Sequence, residues 1–255
     1  MNKTINVFEL PSEATKNKHL IDGSCTVVID VLRSTTTLTY AVNAGLLAII
    51  PVLQIEDALQ FQTASQADRT KDIILGGERG CERINQFDVG NSPLDMIPEI
   101  VKNKTMIFTS TNGTHAMLAA KTAAKLLLAG FVNIGAVVKE LKNENHIVII
   151  CSGTEGKITS EDILLAGAIV SLLKLENDTI ILDKTAADCM NKWNDNSQQR
   201  NLLDNLRISD GAKKLIQLGF DKDIEAAAKY NSINIVPKID FNKIDYTILN
   251  NSADY

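Results

Sequence analysis

Cysteine is scarce and scattered in this chain. Its four cysteines, Cys25, Cys81, Cys151 and Cys189, form no C-x-x-C pair, which argues against a zinc site of the usual close ligand spacing. No apolar run approaches the roughly 18–20 residues of a membrane-spanning helix. The first residues, MNKTINVFELPSEA, contain no apolar segment of the signal-peptide kind. A cytoplasmic protein with reduced thiols is therefore expected. There is no cluster of lysine and arginine with interleaved aromatics, and the formal net charge is −5. Broad binding to nucleic acid or an anionic membrane, which favours a basic surface, is not expected. No stretch is rich enough in proline, glycine or serine to mark a linker, and no internal repeat is visible.

What is present is ordinary in bulk: 255 residues, 45% hydrophobic and 22% charged. That suffices for one large α/β catalytic domain over 1–255, or for two lobes divided in the polar segment 183–205. Short apolar runs alternate with helix-period patterns, so the expected fold is a three-layer α/β/α arrangement with a mostly parallel or mixed sheet. Strands are expected over 5–8, 26–30, 48–52, 73–75, 106–109, 124–128, 146–151 and 179–182. Helices are expected over 35–43, 55–67, 93–101, 113–121, 133–141, 160–173, 186–206, 211–218 and 222–231, with Gly45 ending the first as a C′ glycine.

Several of these strands run into unusually polar loops: IDVLRSTTT, IFTSTNGTHA, IICSGTEGKITSED and the long connection ILGGERGCERINQFDVGNSP. Parallel sheets bind ligands at such strand ends, where helix N-termini attract anions. Helix capping and local turns are the plain alternative for each loop taken alone. Three familiar phosphate sites do not fit. A haloacid-dehalogenase site needs a second aspartate two residues after Asp30, where Leu32 stands. CSGTEGK has Lys157 in place of the arginine of a cysteine phosphatase. GTEGKI lacks the first glycine of a P-loop and has Ile158 at the magnesium-binding hydroxyl position. Together, the strand-end acids suit a divalent cation with oxygen ligands, and the arginines and hydroxyls suit phosphate, the ingredients of phosphoryl transfer to water.

Four motifs, VVIDVLRSTTT, LGGERG…FDVGNSPLDM, TSTNGTHA and CSGTEGKITSEDILLAG, together resemble the 2-phosphosulfolactate phosphatase family, and SDGAKKLIQLGFDKDIEAAAKYNSINIVPKI resembles its C-terminal part. The resemblance spans nearly the whole chain in order. It implies an α/β fold of its own, not haloacid-dehalogenase-like, and a magnesium-dependent phosphomonoesterase. The implied reaction converts 2-phospho-3-sulfolactate to 3-sulfolactate and phosphate, a step of coenzyme M biosynthesis; other 2-phospho-2-hydroxy acids share the carboxylate beside the phosphoester. Ser34 stands where alanine is common, His115 where arginine is expected, and the segment 80–86 departs locally.

With that resemblance, Asp30, Arg33 and Glu78 are the expected catalytic residues. Mg2+ is expected on Asp30 and Glu78, with Asp88, Glu161 or Asp162 contributing directly or through water. Arg33, Thr35, Thr36, Arg79, Arg83, Thr111, Asn112, Gly113 and Thr114 are expected to contact a small anionic phosphoester, and Ser152, Gly153 and Thr154 to close the other side. The nucleophile is either an activated water or Asp30 itself. Two readings compete, a non-catalytic binder of phosphorylated metabolites and a cysteine phosphatase using Cys151. A homo-oligomer is common for such enzymes.

Overall fold

The computed structural model describes residues 2–68, 72–199, 201–244 and 246. Its strands are β1 (Thr4–Phe8), β2 (Cys25–Ile29), β3 (Ala48–Pro51), β4 (Ile73–Arg79), β5 (Glu82–Arg83), β6 (Thr105–Thr109), β7 (Lys125–Ala129), β8 (His146–Cys151), β9 (Ile181–Leu182) and β10 (Lys238–Ile239). They form two sheets, in the orders β10-β7-β2-β8-β1-β9 and β3-β6-β4-β5. All pairings are parallel except the two at the edges, β10 with β7 and β5 with β4. The α/β class with a mixed sheet is as expected.

Side chains alternate across each strand, and that alternation builds the layers. From the larger sheet, Val27, Ile29, Leu127, Ile147 and Ile149 enter one core, shared with the helices Ile134–Leu141 and Ser160–Glu176. Val28, Leu126, Leu128, Val148 and Ile150 face the other way and meet Ile74, Met106 and Phe108 of the smaller sheet. The helices Ser34–Asn43 and Gly113–Ala119 lie in this shared layer. Leu75 and Ile107 turn from it into a third cluster, under helix Ile55–Asp68 with Phe61.

Gly45 ends helix Ser34–Asn43 with φ +100°, while Gly45 N–H donates to Val42 O and Leu46 N–H to Ala41 O, each at 3.0 Å. This double closure is the Schellman arrangement that a C′ glycine permits.

Other expectations are corrected. The helix expected over 93–101 is split into a 3₁₀ turn at Pro93–Asp95 and a short helix at Pro98–Val101. Pro98 forces Ile97 into an extended conformation and so interrupts the run. The helix expected over 186–206 is likewise two, Lys184–Gln199 and Leu202–Arg207, the second capped by the Asn201 side chain. Strand β4 extends past Leu75 to Arg79 because Glu78 and Arg79 pair with Arg83 and Glu82 of β5. No described helix is long and apolar enough to cross a membrane.

Candidate active site

The loops following β2, β4, β6 and β8 meet at the carboxyl ends of the two sheets, and hydrogen bonds tie each to a neighbour. Glu78, on β4, joins the hairpin to the loop after β6: its Oε2 accepts from Cys81 N–H at 2.8 Å and its Oε1 from Thr111 N–H at 2.7 Å. Asn112 Oδ1 accepts from Glu155 N–H at 3.0 Å, fastening the loop after β6 to the loop after β8. Asp162, in the first turn of helix Ser160–Glu176, spans the loops after β2 and β8. Its Oδ1 accepts from Val31 N–H at 2.9 Å, and its Oδ2 accepts from Ser152 Oγ and Gly153 N–H, each at 3.1 Å.

Asp30 stands at the centre. Its Oδ1 accepts from Ser34 N–H at 3.2 Å, and its Oδ2 lies so close to Gly113 that a Cβ there would come within 2.6 Å. Only glycine lets the loop after β6 approach this carboxylate. Glu161 reaches the same region from helix Ser160–Glu176; its Oε1 lies against Gly211, and its buried Oε2 has no hydrogen-bond partner. Burial pushes the Asp30 carboxyl up to about 6, assisted by the charge of Glu78 and opposed by hydrogen bonds from Ser34. Burial likewise raises Glu161 to about 7, opposed by hydrogen bonds from its own backbone and from Ser209 and assisted by the charge of Asp30. Asp162 is held well above the carboxylate range by burial and then by Glu161 and Asp30.

Asp30, Arg33, Glu78, Thr111, Asn112 and Thr154 line one cavity of about 100 Å³. Ser34, Cys81, Asn91, Glu155, Asp210 and Lys214 also line it and were not among the expected site residues. Lys214 and Asp210 come from helix Asp210–Gln217, far along the chain, and no spacing relates them to the strand-end motifs. Glu155 comes from the loop after β8.

Other expected residues are committed to the fold. Thr35 Oγ1 accepts from Asp30 N–H at 3.0 Å and lies 2.6 Å from Ala129 O, while Thr36 donates to Val31 O at 2.8 Å. Both are fully buried, so their hydroxyls serve the strand-to-helix turn. Thr114 Oγ1 accepts from Ser110 N–H at 2.9 Å within its own loop. Ser152 and Gly153 are engaged with Asp162. Arg33, though on the cavity wall, forms a buried ion pair with Asp223, donates to Cys81 O and sits 4.5 Å from the Phe220 ring centre. Arg79 donates to Glu78 O, Leu53 O and Thr109 Oγ1.

Asp88 and Arg83 face a neighbouring cavity of about 350 Å³, beyond the wall made by Arg33, Cys81 and Asn91. Asp88 Oδ2 accepts from Leu75 N–H at 2.7 Å. Cys151 is fully buried on β8 among apolar side chains, and burial holds its thiol well above the ordinary value. A cysteine nucleophile therefore has neither access nor charge here. A larger groove of about 650 Å³ runs between β3 and β10, but Lys125, Lys238 and Lys243 on its wall are paired with Glu144, Glu140 and Asp240. It gathers no set of reactive groups.

The family model for 2-phosphosulpholactate phosphatase matches residues 9–242. The chain belongs to the 2-phosphosulfolactate phosphatase family. It is thereby a phosphoric monoester hydrolase by kinship. A relative from Caldanaerobacter subterraneus subsp. tengcongensis, named "Probable 2-phosphosulfolactate phosphatase", is 37% identical over 214 residues, covering 84% of this chain and 86% of its own length. A relative of the same name from Thermotoga petrophila is 37% identical, covering 84% of this chain and 88% of its own. One from Clostridium novyi, also so named, is 33% identical, covering 94% of this chain and 97% of its own. The family match, over residues 9–242, takes in the strand ends that build the cavity.

Proposed function

We propose that this 2-phosphosulfolactate phosphatase family member hydrolyses 2-phospho-3-sulfolactate to 3-sulfolactate and phosphate with magnesium bound at Asp30 and Glu161. The observation that carries the metal assignment is the buried, unpartnered Oε2 of Glu161, whose carboxyl feels the charge of a second buried carboxyl, Asp30, the two being raised by burial to about 7 and about 6. Such a pair is costly without a counter-charge. Among the described residues no three acidic, thiol or imidazole groups converge as a complete metal cage. Magnesium needs no such cage, since it keeps several waters and takes one or two carboxylates plus substrate phosphate.

Bound magnesium would supply neutralisation of phosphoryl charge. The chain's own residues do the rest. Glu78 holds the hairpin and the loop after β6 in place, and Asp162 holds the loops after β2 and β8. Thr111, Asn112 and Thr154 line the rim, where hydroxyl and amide groups can donate to phosphate oxygens. Water attacks phosphorus, the bond from phosphorus to the substrate oxygen breaks, and the leaving oxygen ends as the hydroxyl of the product. Asp30 as nucleophile is the competing route, and its Oδ1 is already held by Ser34 N–H. Hydrolysis of a substrate whose phosphoryl group is made chiral with oxygen isotopes and sulfur separates the two. Inversion at phosphorus supports direct attack by water, and retention supports the aspartyl ester.

The test of function is phosphate release from 2-phospho-3-sulfolactate and 2-phospholactate, each with magnesium and with EDTA. Release from the sulfonated compound only in magnesium is expected. Release unaffected by EDTA would overturn the metal assignment. Saturable binding without release from either would favour the non-catalytic reading. Where the host makes coenzyme M, the product would enter that synthesis.

A further inference from the structure

The cavity is lined by Asp30, Glu78, Glu155 and Asp210 and by only two cationic side chains, Arg33 and Lys214. Arg33 is committed to Asp223, Cys81 O and the Phe220 ring. The other nearby arginines are also engaged: Arg79 with two carbonyls and a hydroxyl, Arg83 with Asp88 O at 3.2 Å. Lys214 is exposed and makes no hydrogen bond or ion pair among the described residues. Asp210, one turn before it, is taken by Lys213 at 2.6 Å.

Two contacts locate Lys214. A Cβ on Gly80 would have Lys214 Nζ at 4.0 Å, so the ammonium overhangs the hairpin turn beside Glu78. Gly211, three residues earlier on the same helix, lies against Glu161 Oε1. Residues three apart on a helix are neighbours on one face, so Lys214 stands about one helical turn from the acid assigned to the metal.

We infer that Lys214 is the residue that selects a second anionic group on the substrate, the sulfonate one carbon beyond the phosphoester carbon. The inference rests on the phosphatase reading above and deepens it. A substrate carrying phosphate, carboxylate and sulfonate meets an acidic cavity in which magnesium neutralises the phosphoryl end. The far end then needs a cation, and of the two cationic side chains lining the cavity the ammonium of Lys214 is the one without a partner among the described residues. A sulfonate presents three equivalent oxygens in a cone, which a compact ammonium with three rotatable donors suits without the planar fork that arginine offers carboxylates. An exposed, long side chain at the mouth also reaches a group that projects away from the metal.

The test is Lys214→Met, with Lys214→Arg and Lys213→Met alongside, assayed for kcat and KM on 2-phospho-3-sulfolactate and 2-phospholactate. Lys214 is exposed, so thermal melts should match the wild type. Lys214→Met should raise KM for the sulfonated substrate about tenfold, the scale of one charge-assisted hydrogen bond. KM for 2-phospholactate should change less than twofold. Lys214→Arg should recover part of the loss, and Lys213→Met should leave both KM values unchanged. An equal rise for both substrates, no rise, or a fall in kcat alone would overturn the inference. Calorimetric titration with 3-sulfolactate in magnesium gives a second readout, weakened by Lys214→Met if the inference holds and unchanged if it fails. If the wild type releases phosphate from neither substrate, the phosphatase reading falls, and this titration still decides the role of Lys214.

Discussion

Arg33 and Asp223 meet at 2.6 Å across most of the chain's length, each with a side chain only 3% exposed. The second oxygen of Asp223 accepts from Ser92 Oγ at 2.6 Å, and the other arm of Arg33 donates to Cys81 O. One ion pair thus binds the loop after β2, the β4–β5 hairpin, the segment before Pro93 and helix Asp221–Ala227. The site walls come from segments that share little except this junction.

Removing one partner should therefore cost far more than removing both. Asp223→Ala leaves a guanidinium buried without a counter-charge, a change worth about 3–5 kcal/mol. Asp223→Ala should lower the urea midpoint by a corresponding amount, while Arg33→Met combined with Asp223→Leu should recover much of it. A double-mutant cycle in urea checks this. A double variant as unstable as the sum of the singles would show that the pair does not act as a unit.

Asp30→Asn should separate stability from activity. Its carboxyl is buried and pushed up to about 6, so at pH 7.5 the native state carries a charge that burial disfavours. The neutral amide removes that penalty, and the melting temperature should hold or rise. Phosphate release should fall roughly 100-fold or more, the scale of losing one electrostatic contact at a reacting centre. Equal activity of variant and wild type would remove Asp30 from the site.

The same residue shows how far sequence reading reaches. Asp30 follows an apolar run that can only be a buried strand, so its place at a strand end was legible, as was β8 to the residue. The two-residue strands β5 and β10 were not, because so few side chains carry no period. Nor was the division into two sheets, which depends on which strands become neighbours. In the site, Thr35 and Thr36 have the chemistry of ligands, and only the proximity of Ala129 O and Val31 O commits their hydroxyls to the fold. Lys214 gave no local signal, because its meaning comes from a hairpin turn more than a hundred residues earlier.

The thiols should be inert in the native protein. Burial pushes Cys25 and Cys189 to about 12 and Cys151 well above its ordinary value, so none has thiolate character near neutrality. Cys81 is half-buried, and burial raises it too. Iodoacetamide at pH 8 should leave Cys25, Cys151 and Cys189 unmodified by mass spectrometry until denaturant is added, with phosphatase activity retained. Rapid labelling of Cys151 with parallel loss of activity would restore the cysteine mechanism.

Metal and protons should oppose each other at Asp30 and Glu161. Their folded values of about 6 and 7 lie above the roughly 4 of an unfolded carboxylate, so the native state binds the extra protons. Their contribution to stability is complete below about pH 4 and is lost as pH rises through 6 and 7, levelling off above. In EDTA, the melting temperature should therefore decline between pH 5 and 7.5 by more than in an Asp30→Asn, Glu161→Gln variant. With millimolar magnesium the sign reverses: the cation binds the charged carboxylates, so its stabilisation should be small at pH 5 and grow toward pH 7.5. Thermal melts across that range, with and without magnesium, read both slopes. A magnesium effect independent of pH, or one that survives in the double variant, would place the cation away from these two carboxylates.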